Sequence, residues 1–281
     1  MKFNRYIFWG TAKSTFIHIF LMSVALTCLF PIFWMVRCAL MTNETVFVDK
    51  SLIPHHLNPG NFAAAWTMGN FAVYFLNSVI YTVSVVTGIV LISSLAAFAF
   101  SRLKFPGKDI IFYMFVAAMM IPLPGSFVAL FVLMTKLHLV NTRIGYILCM
   151  INVGLSMSIL LFKTFFDKMP QELEDAARID GCGKIGIWWN MAMPFARPAI
   201  AVVVIFNSLN VWNEYILAML LLGDSQLMPL QRGIMVFQGA NSTDYPVLMA
   251  GLTMAAIPII VVYLFMQKHI VKGLTSGEVL G

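Results

Sequence analysis

The amino-acid sequence predicts an all-α integral membrane protein. Of its 281 residues, 60% are hydrophobic and only 11% are charged, and the mean hydropathy is +0.86. Typical soluble domains carry about 25% charged residues. The apolar residues form long runs without strand-like alternation, and in lipid a single segment satisfies its backbone groups only as a helix. These observations exclude a soluble globular protein and predict membrane-spanning helices.

Six apolar runs are long enough to cross a bilayer, since a transmembrane helix needs about 20 residues. They lie at residues 16–36, 73–100, 110–134, 144–162, 199–222 and 247–265. We therefore expect about six transmembrane helices. The polar stretches between these runs are too short for a separate soluble domain, so residues 1–281 are expected to form a single transmembrane domain.

The distribution of Lys and Arg predicts the orientation of the spans. With six spans, the N-terminus, residues 101–109, residues 163–198 and the C-terminal tail share one side of the membrane, and these segments carry most of the 18 basic residues. Short loops rich in Lys and Arg stay in the cytoplasm. We expect a multi-pass protein with both termini cytoplasmic. The net charge of +6 follows from this topology, and no basic and aromatic surface predicts nucleic-acid binding.

A charged segment, EDAARIDGCG, stands out in the loop at residues 163–198. Pro170 suits the first turn of a helix, and acidic residues follow it where the helix dipole favours negative charge. Ala176 and Ala177 keep this helix slim, and Gly181 or Gly183 can end it by adopting a positive φ. The acidic residues of the helix are Glu172, Glu174 and Asp175.

A second short helix is expected around residues 184–191, before Pro194 starts the next span. It would bring Ile185, Trp188 and Trp189 to the surface. A slim helix pair that projects from a membrane suits docking to a partner. The alternative is an amphipathic loop on the bilayer surface, where Trp side chains are enriched.

The spacing in this loop resembles the EAA loop of bacterial ABC-importer permeases, whose pattern is EAA-x3-G-x9-I-x-L-P. The matching residues are Ala176, Ala177, Gly181 and Pro194. The conservative departures are Asp175, Met191 and Met193, and Glu174 stands one place early as a substitute acid. The resemblance implies that residues 163–198 form a cytoplasmic coupling loop between spans four and five. The residues implied in coupling to an ATPase are Glu174, Asp175, Ala176, Ala177, Gly181 and Pro194.

Other stretches resemble the carbohydrate-uptake branch of these permeases, the maltose-transporter-type second permease. They are residues 52–62, Trp212-Asn213-Glu214-Tyr215 in the fifth span and the C-terminal residues 273–281. The resemblance implies a permease subunit of the bacterial inner membrane that forms half of the translocation pathway for a sugar or oligosaccharide. The implied partners are a second homologous permease, two cytoplasmic ATPase subunits and an extracytoplasmic sugar-binding protein.

The chain is not expected to hydrolyse ATP. It contains no G-x4-G-K-[ST] phosphate-binding loop, so ATP and Mg²⁺ are expected on the partner ATPase and no cofactor is expected in this chain. The Cys and His residues are dispersed and show no metal-ligand spacing, so no metal site is predicted.

The fifth predicted span carries a polar stripe. Asn207, Asn210 and Glu214 fall at i, i+3 and i+7 on one helix face, with Asn213 and Tyr215 beside them. A charge inside the bilayer needs a water-filled cavity or a partner. Amide and carboxylate acceptors beside an aromatic ring suit sugar hydroxyls. The stripe either lines the translocation path and contacts substrate, or holds the span to the partner permease through a hydrogen bond.

Two other classes of function compete with an importer permease. A secondary transporter or channel would act without an ATPase, but it should show coupling carboxylates or an internal repeat, and Glu214 alone among the acids lies clearly within a predicted span. A membrane-embedded enzyme would need a nucleophile and base or paired acids, and no such motif occurs. The chain is therefore expected not to be an enzyme.

Overall fold

The computed structural model describes residues 2–68, 70–120, 123–237 and 243–275. Within these ranges the regular elements are helices, which confirms the all-α class. The α-helices are α1 Lys2–Ala39, α2 Gly60–Met68, α3 Phe71–Arg102, α4 Lys108–Ala118, α5 Leu123–Lys136, α6 Arg143–Asp167, α7 Gln171–Ile179, α8 Lys184–Ile187, α9 Met193–Phe195, α10 Arg197–Asn213, α11 Ile216–Leu221, α12 Leu230–Gly233 and α13 Tyr245–Thr275. A π-helix at Trp188–Ala192 joins α8 to α9, and 3₁₀ turns lie at Ser225–Leu227 and Ile234–Phe237.

Four helices are long and apolar enough to cross a membrane. They are Ser14–Ala39 in α1, Phe71–Arg102, Arg143–Asp167 and Tyr245–Phe265 in α13. They correspond to the first, second, fourth and sixth predicted spans. A fifth candidate is the pair Lys184–Phe195 and Arg197–Asn213, whose two parts meet at an angle of 79°. By length and composition, the described ranges therefore hold four to five apolar spans.

The third predicted span, residues 110–134, is not one long helix. α4 has 11 residues and α5 has 14, so neither reaches the length that a bilayer requires. Pro122 lies between them in the sequence and Pro124 is the second residue of α5, and both lack the N–H donor that a continuous helix uses. Residues 121 and 122 lie outside the described residues.

The fifth predicted span, residues 199–222, is also interrupted. α10 ends at Asn213 and α11 begins at Ile216, with Glu214 in an extended conformation between them at φ −70° and ψ 129°. Neither Pro nor Gly marks this break in the sequence. Its cause is a side chain, because the Glu214 carboxylate accepts the backbone N–H groups of Leu217 and Ala218, as an N-cap residue does.

The contacts divide the chain into two compact units, and the first comprises Met1–Gly69 and Val236–Ala256. In this unit, buried Arg37 donates to the carbonyl oxygens of Asp49 and Ser51, both at 2.7 Å. Hydrogen bonds from the hydroxyl and backbone N–H of Ser51 hold the pKa of the Asp49 carboxyl well below its usual value. Buried Asn61 donates to the carbonyl oxygens of Ala39 and Met41. These bonds fold the segment after α1 into a fixed loop.

The second unit comprises Asn70–Met235 and Ile257–Gly281 and contains the candidate site residues. Its centre is the contact between α3 and α6, with α10 packed against both. Gly154 makes this packing close, because a Cβ there would lie 2.3 Å from Oδ1 of Asn207 and 2.4 Å from Cδ1 of Ile89. Small residues at such crossings let membrane helices approach each other closely.

Candidate functional site

The loop at residues 163–198 contains the helix, turn and helix that the sequence predicts. α7 is followed by Gly181 at φ +82°, whereas Gly183 has an ordinary φ of −72°. The N–H groups of Gly181 and Cys182 donate to the carbonyl oxygens of Arg178 and Ala177. This is the Schellman arrangement that ends a helix at a left-handed residue. Gly181 therefore makes the turn.

The inward face of α7 is formed by Glu174 and Ala177, which are 4% and 0% exposed. Oε1 of Glu174 accepts a hydrogen bond of 2.8 Å from Nη2 of Arg178, and its Oε2 lies 3.9 Å from Nη1 of Arg102 in α3. Glu174 thus faces the protein rather than a partner. Asp175 and Ala176 are exposed, so Asp175, like Glu172 and Asp180, is an acid that the loop presents at its surface.

Several large apolar side chains are exposed on the same helix pair. We call this set the loop surface, and its members are Leu173, Ile179, Ile185 and Trp189, of which Ile179 is 87% exposed and Ile185 is 75% exposed. The prediction that Trp188 also lies at the surface is wrong, since its side chain is buried. In the π-helix at Trp188–Ala192, Trp188 points inward and Trp189 points outward. Exposed apolar patches of this kind mark interaction sites.

Pro194 lies just before a sharp change of direction. It is exposed in the short helix α9, and the chain bends by 79° between Lys184–Phe195 and α10. α10 begins at Arg197 with Pro198 in its first turn, where a missing N–H leaves no bond unmade. The next span therefore begins at residues 197 and 198, and not at Pro194 as the sequence predicts.

An open cavity of about 510 Å³ lies beside the break in the fifth span. Its lining includes four of the five residues predicted for the translocation path, namely Asn210, Asn213, Glu214 and Tyr215. Phe127 of α5 and Met150 and Val153 of α6 complete the apolar part of the wall. The volume is within the range of ordinary small-molecule sites, which is about 300–1,000 Å³.

Asn207, the fifth predicted path residue, is not part of this lining. It is buried between α10 and α6, and its Nδ2 donates to Oγ of Ser158 at 3.1 Å and to the carbonyl oxygen of Val203 at 2.8 Å. The predicted stripe is therefore divided. Asn207 packs two helices together, while the residues from Asn210 onward face the open cavity.

Glu214 is held by this chain's own groups. Its Oε1 accepts the Leu217 N–H at 2.6 Å, and its Oε2 accepts the Ala218 N–H at 2.9 Å and the Tyr146 hydroxyl at 3.2 Å. Tyr146 is fully buried in α6. Sequence reasoning missed Tyr146, because a Tyr in an apolar run gives no sign of a partner 68 residues away. The freer polar groups of the lining are the exposed Asn210 and Asn213.

An assembly of apolar helices with a mostly apolar cavity that holds a few polar side chains at a broken span is typical of a membrane transport protein. A family model described as binding-protein-dependent transport system inner membrane component matches residues 88–276. The chain therefore belongs to that family, and it is a permease of an ABC importer and a multi-pass inner-membrane protein.

Individual relatives agree with this assignment. The chain is 34% identical over 271 residues to the probable ABC transporter permease protein YurM of Bacillus subtilis strain 168, covering 96% of this chain and 89% of YurM. It is 30% identical over 262 residues to the diacetylchitobiose uptake system permease protein NgcG of Streptomyces coelicolor. That alignment covers 92% of this chain and 87% of NgcG. The resemblance to carbohydrate-uptake permeases is thus confirmed, and these relatives are transport permeases rather than enzymes.

A solved structure shares the fold. It is a chain of a bacterial ABC transporter involved in the import of the acidic polysaccharide alginate, with a TM-score of 0.76 at 24% identity. The alignment covers 92% of this chain and 95% of that chain. The two chains therefore share a fold.

Replacing Glu214 with Ala should destabilise the protein, because the N–H groups that begin α11 and the buried Tyr146 hydroxyl lose their acceptor. The expected cost is about 2–4 kcal/mol, which corresponds to a fall of about 4–10 °C in the thermal unfolding midpoint. The measurement is thermal unfolding of the detergent-purified chain. Asn213→Ala is the control, since its amide donates within α10 to Leu209. Equal midpoints for the two variants would contradict the capping role.

Proposed function

We propose that this chain forms half of the translocation pathway for a sugar or oligosaccharide and is driven by a separate ATPase. Its partners are a second homologous permease, two cytoplasmic ATPase subunits that bind ATP and Mg²⁺, and an extracytoplasmic sugar-binding protein. The chain crosses the membrane six times, through α1, α3, α4 with α5, α6, α10 with α11, and α13. It acts as a single transmembrane domain over residues 1–281.

The observation that carries this proposal is the exposed loop surface on residues 163–198. Leu173, Ile179, Ile185 and Trp189 are apolar, yet they stand on one of the most charged segments of the chain. A surface facing lipid would not carry Asp175 and Arg178 among these side chains, whereas a protein groove accommodates both kinds of group. Ala176 keeps the helix narrow and Gly181 sets the angle between α7 and the next helix. We assign this surface to the ATPase.

The translocation path is proposed to pass the cavity at the break in α10 and α11. Asn210 and Asn213 offer amide donors and acceptors, and Tyr215 and Phe127 offer aromatic rings. Sugars present hydroxyl groups around an apolar ring face, so amides with aromatic rings suit them. Glu214 caps the start of α11 after the break, and Asn207 hydrogen-bonds α10 to α6. The uptake of a saccharide by a 30% identical relative supports the same substrate class.

The orientation rests on charge. The coupling loop and both termini are proposed to face the cytoplasm, because the segments on that side carry most of the basic residues. The loop after α1, which contains exposed Leu57, then faces outward.

The coupling role predicts a loss of ATPase binding when a charge is added to the loop surface. Ile179→Asp should lower the amount of ATPase that co-purifies with the permease at least tenfold, because a buried interface side chain would be replaced by an unpaired carboxylate. Gly181→Val should act in the same direction through strain at a positive φ.

Leu57→Asp is the matched control, since it adds the same charge to an exposed apolar site in a different loop. Normal recruitment of the ATPase by Ile179→Asp would show that the loop surface is not the docking site. Uptake by the purified chain alone, driven by an ion gradient, would instead favour a secondary transporter.

The path role predicts that Asn210→Ala and Asn213→Ala lower substrate uptake by about fivefold or more, since each removes a polar contact worth roughly 1 kcal/mol or more. The reconstituted complex should stay assembled with its basal ATP hydrolysis measurable. Thr135→Ala serves as the control, because its hydroxyl also bonds within its own helix but lies outside the cavity lining. Wild-type uptake by both Asn variants would exclude the cavity from the path.

The orientation predicts which thiols a membrane-impermeant reagent reaches in intact cells. Two variants are compared, each with a single cysteine. The variant whose one cysteine is Leu57→Cys should be labelled in intact cells, and the variant that keeps only the half-buried Cys182 should not. Breaking the cells should make Cys182 reactive. The reverse pattern in intact cells would invert the topology.

A further inference from the structure

The last residue of α3, Arg102, reaches the end of α6. Its Nη2 donates to the carbonyl oxygens of Phe166, in the last turn of that helix, and of Met169, two residues beyond its end. The carbonyl groups at a helix C-terminus are left without intrahelical partners and carry partial negative charge. A guanidinium in this position both satisfies them and neutralises the charge.

The same guanidinium faces α7. Its Nη1 lies 3.9 Å from Oε2 of Glu174, and the side chains of Arg102 and Glu174 are only 13% and 6% exposed. A charge this buried needs a partner and bonded donors. Nη1 and Nη2 of Arg102 have such contacts, whereas its buried Nε has no hydrogen-bond partner among the described residues. The side chain of Arg102 therefore joins α3, the helix that carries it, to both α6 and α7.

Neighbouring polar contacts do not reach α7. Oγ of Ser101 donates to Asp167 at 2.6 Å, and Lys163 pairs with Asp167 at 2.7 Å. Both bonds join the ends of α3 and α6 or lie within α6. Among the described residues, the pair of Arg102 and Glu174 is the polar contact that ties α7 to α3.

The opposite end of α3 is bonded to the segment that follows α11. Nδ2 of Asn77 donates to the carbonyl oxygens of Gln226 and Met228, and the Tyr81 hydroxyl donates to that of Leu227. Oγ of Ser78 accepts the N–H of Leu230 at 2.7 Å. α3 has 32 residues, or about 48 Å of helix, and contains no proline. Hydrogen bonds therefore tie one end of α3 to residues 226–230, and the contacts of Arg102 tie its other end to α6 and α7.

We propose that Arg102 is the positioning residue through which α3 transmits movement of the coupling loop to the segment at residues 226–230. The proposal rests on the assignment of residues 163–198 as the coupling loop. When the ATPase displaces α7, Arg102 makes α3 and the end of α6 follow it. α3 then carries the displacement to residues 226–230, the segment beyond α11 to which its other end is hydrogen-bonded. Packed helices move as rigid bodies in such transitions.

The test compares Arg102→Met with Lys104→Met, which removes the same charge from an exposed side chain two residues later. Hydrogen exchange of the permease pair without ATPase reports whether α7 is fixed. Arg102→Met should raise the exchange rate of the α7 amides at least tenfold, and Lys104→Met should leave it unchanged. This readout does not depend on what docks to the loop, so it separates the role of Arg102 from the proposed function.

The second measurement uses the complete complex in proteoliposomes. Arg102→Met should retain the ATPase but lower the substrate transported per ATP at least fivefold, and the ATP-dependent change in exchange at the Leu230 amide should disappear. Unchanged α7 exchange, or faster exchange with normal transport per ATP, would overturn the proposal. If Arg102→Met does not assemble, Glu174→Gln decides by the same criteria, since it removes the charge that Arg102 contacts and keeps the shape of the side chain.

Discussion

The packing of α3 against α6 is the contact on which the other features of the second unit depend. The buried rings of Tyr81 and Tyr146 meet edge to face with their centroids 4.7 Å apart. Gly154 leaves room for α10 to approach the same pair. Lipid tails are as apolar as the helix surfaces, so close packing of this kind supplies much of the association energy in a bilayer. α6 of this pair supplies part of the cavity wall, and the contacts of Arg102 join the ends of both helices.

Half-buried charged side chains are placed where helices end. Glu214 accepts the N–H groups that begin α11, and Arg102 donates to carbonyl groups at the end of α6. An unsatisfied backbone group in lipid costs several kcal/mol, so a break in a span requires such partners. Both residues also adjoin a segment proposed to work in transport. The same bonds that make a helix end stable therefore set the positions of the coupling loop and the path.

The sequence predicted local features of the candidate site better than its long-range partners. Gly181 or Gly183 was expected to make the turn of the loop because a residue without Cβ adopts positive φ without strain, and Gly181 is the one that does. Trp188 was expected at the surface and is buried, because a π-helix changes the face that each residue presents. The stripe from Asn207 to Glu214 was expected to share one face, but Asn207 is buried against α6 while the residues from Asn210 onward line the cavity.

The sequence by itself determined the all-α membrane class, four of the spans and the position of the polar loop. These follow from composition and helical spacing, which are properties of neighbouring residues. The tertiary structure alone decided that Glu174 faces Arg102, that Tyr146 bonds Glu214 and that four of the stripe residues share a cavity. Each of these is a contact between residues distant along the chain. A carboxylate in an apolar span must find a partner, but the packing of the helices determines which residue that partner is.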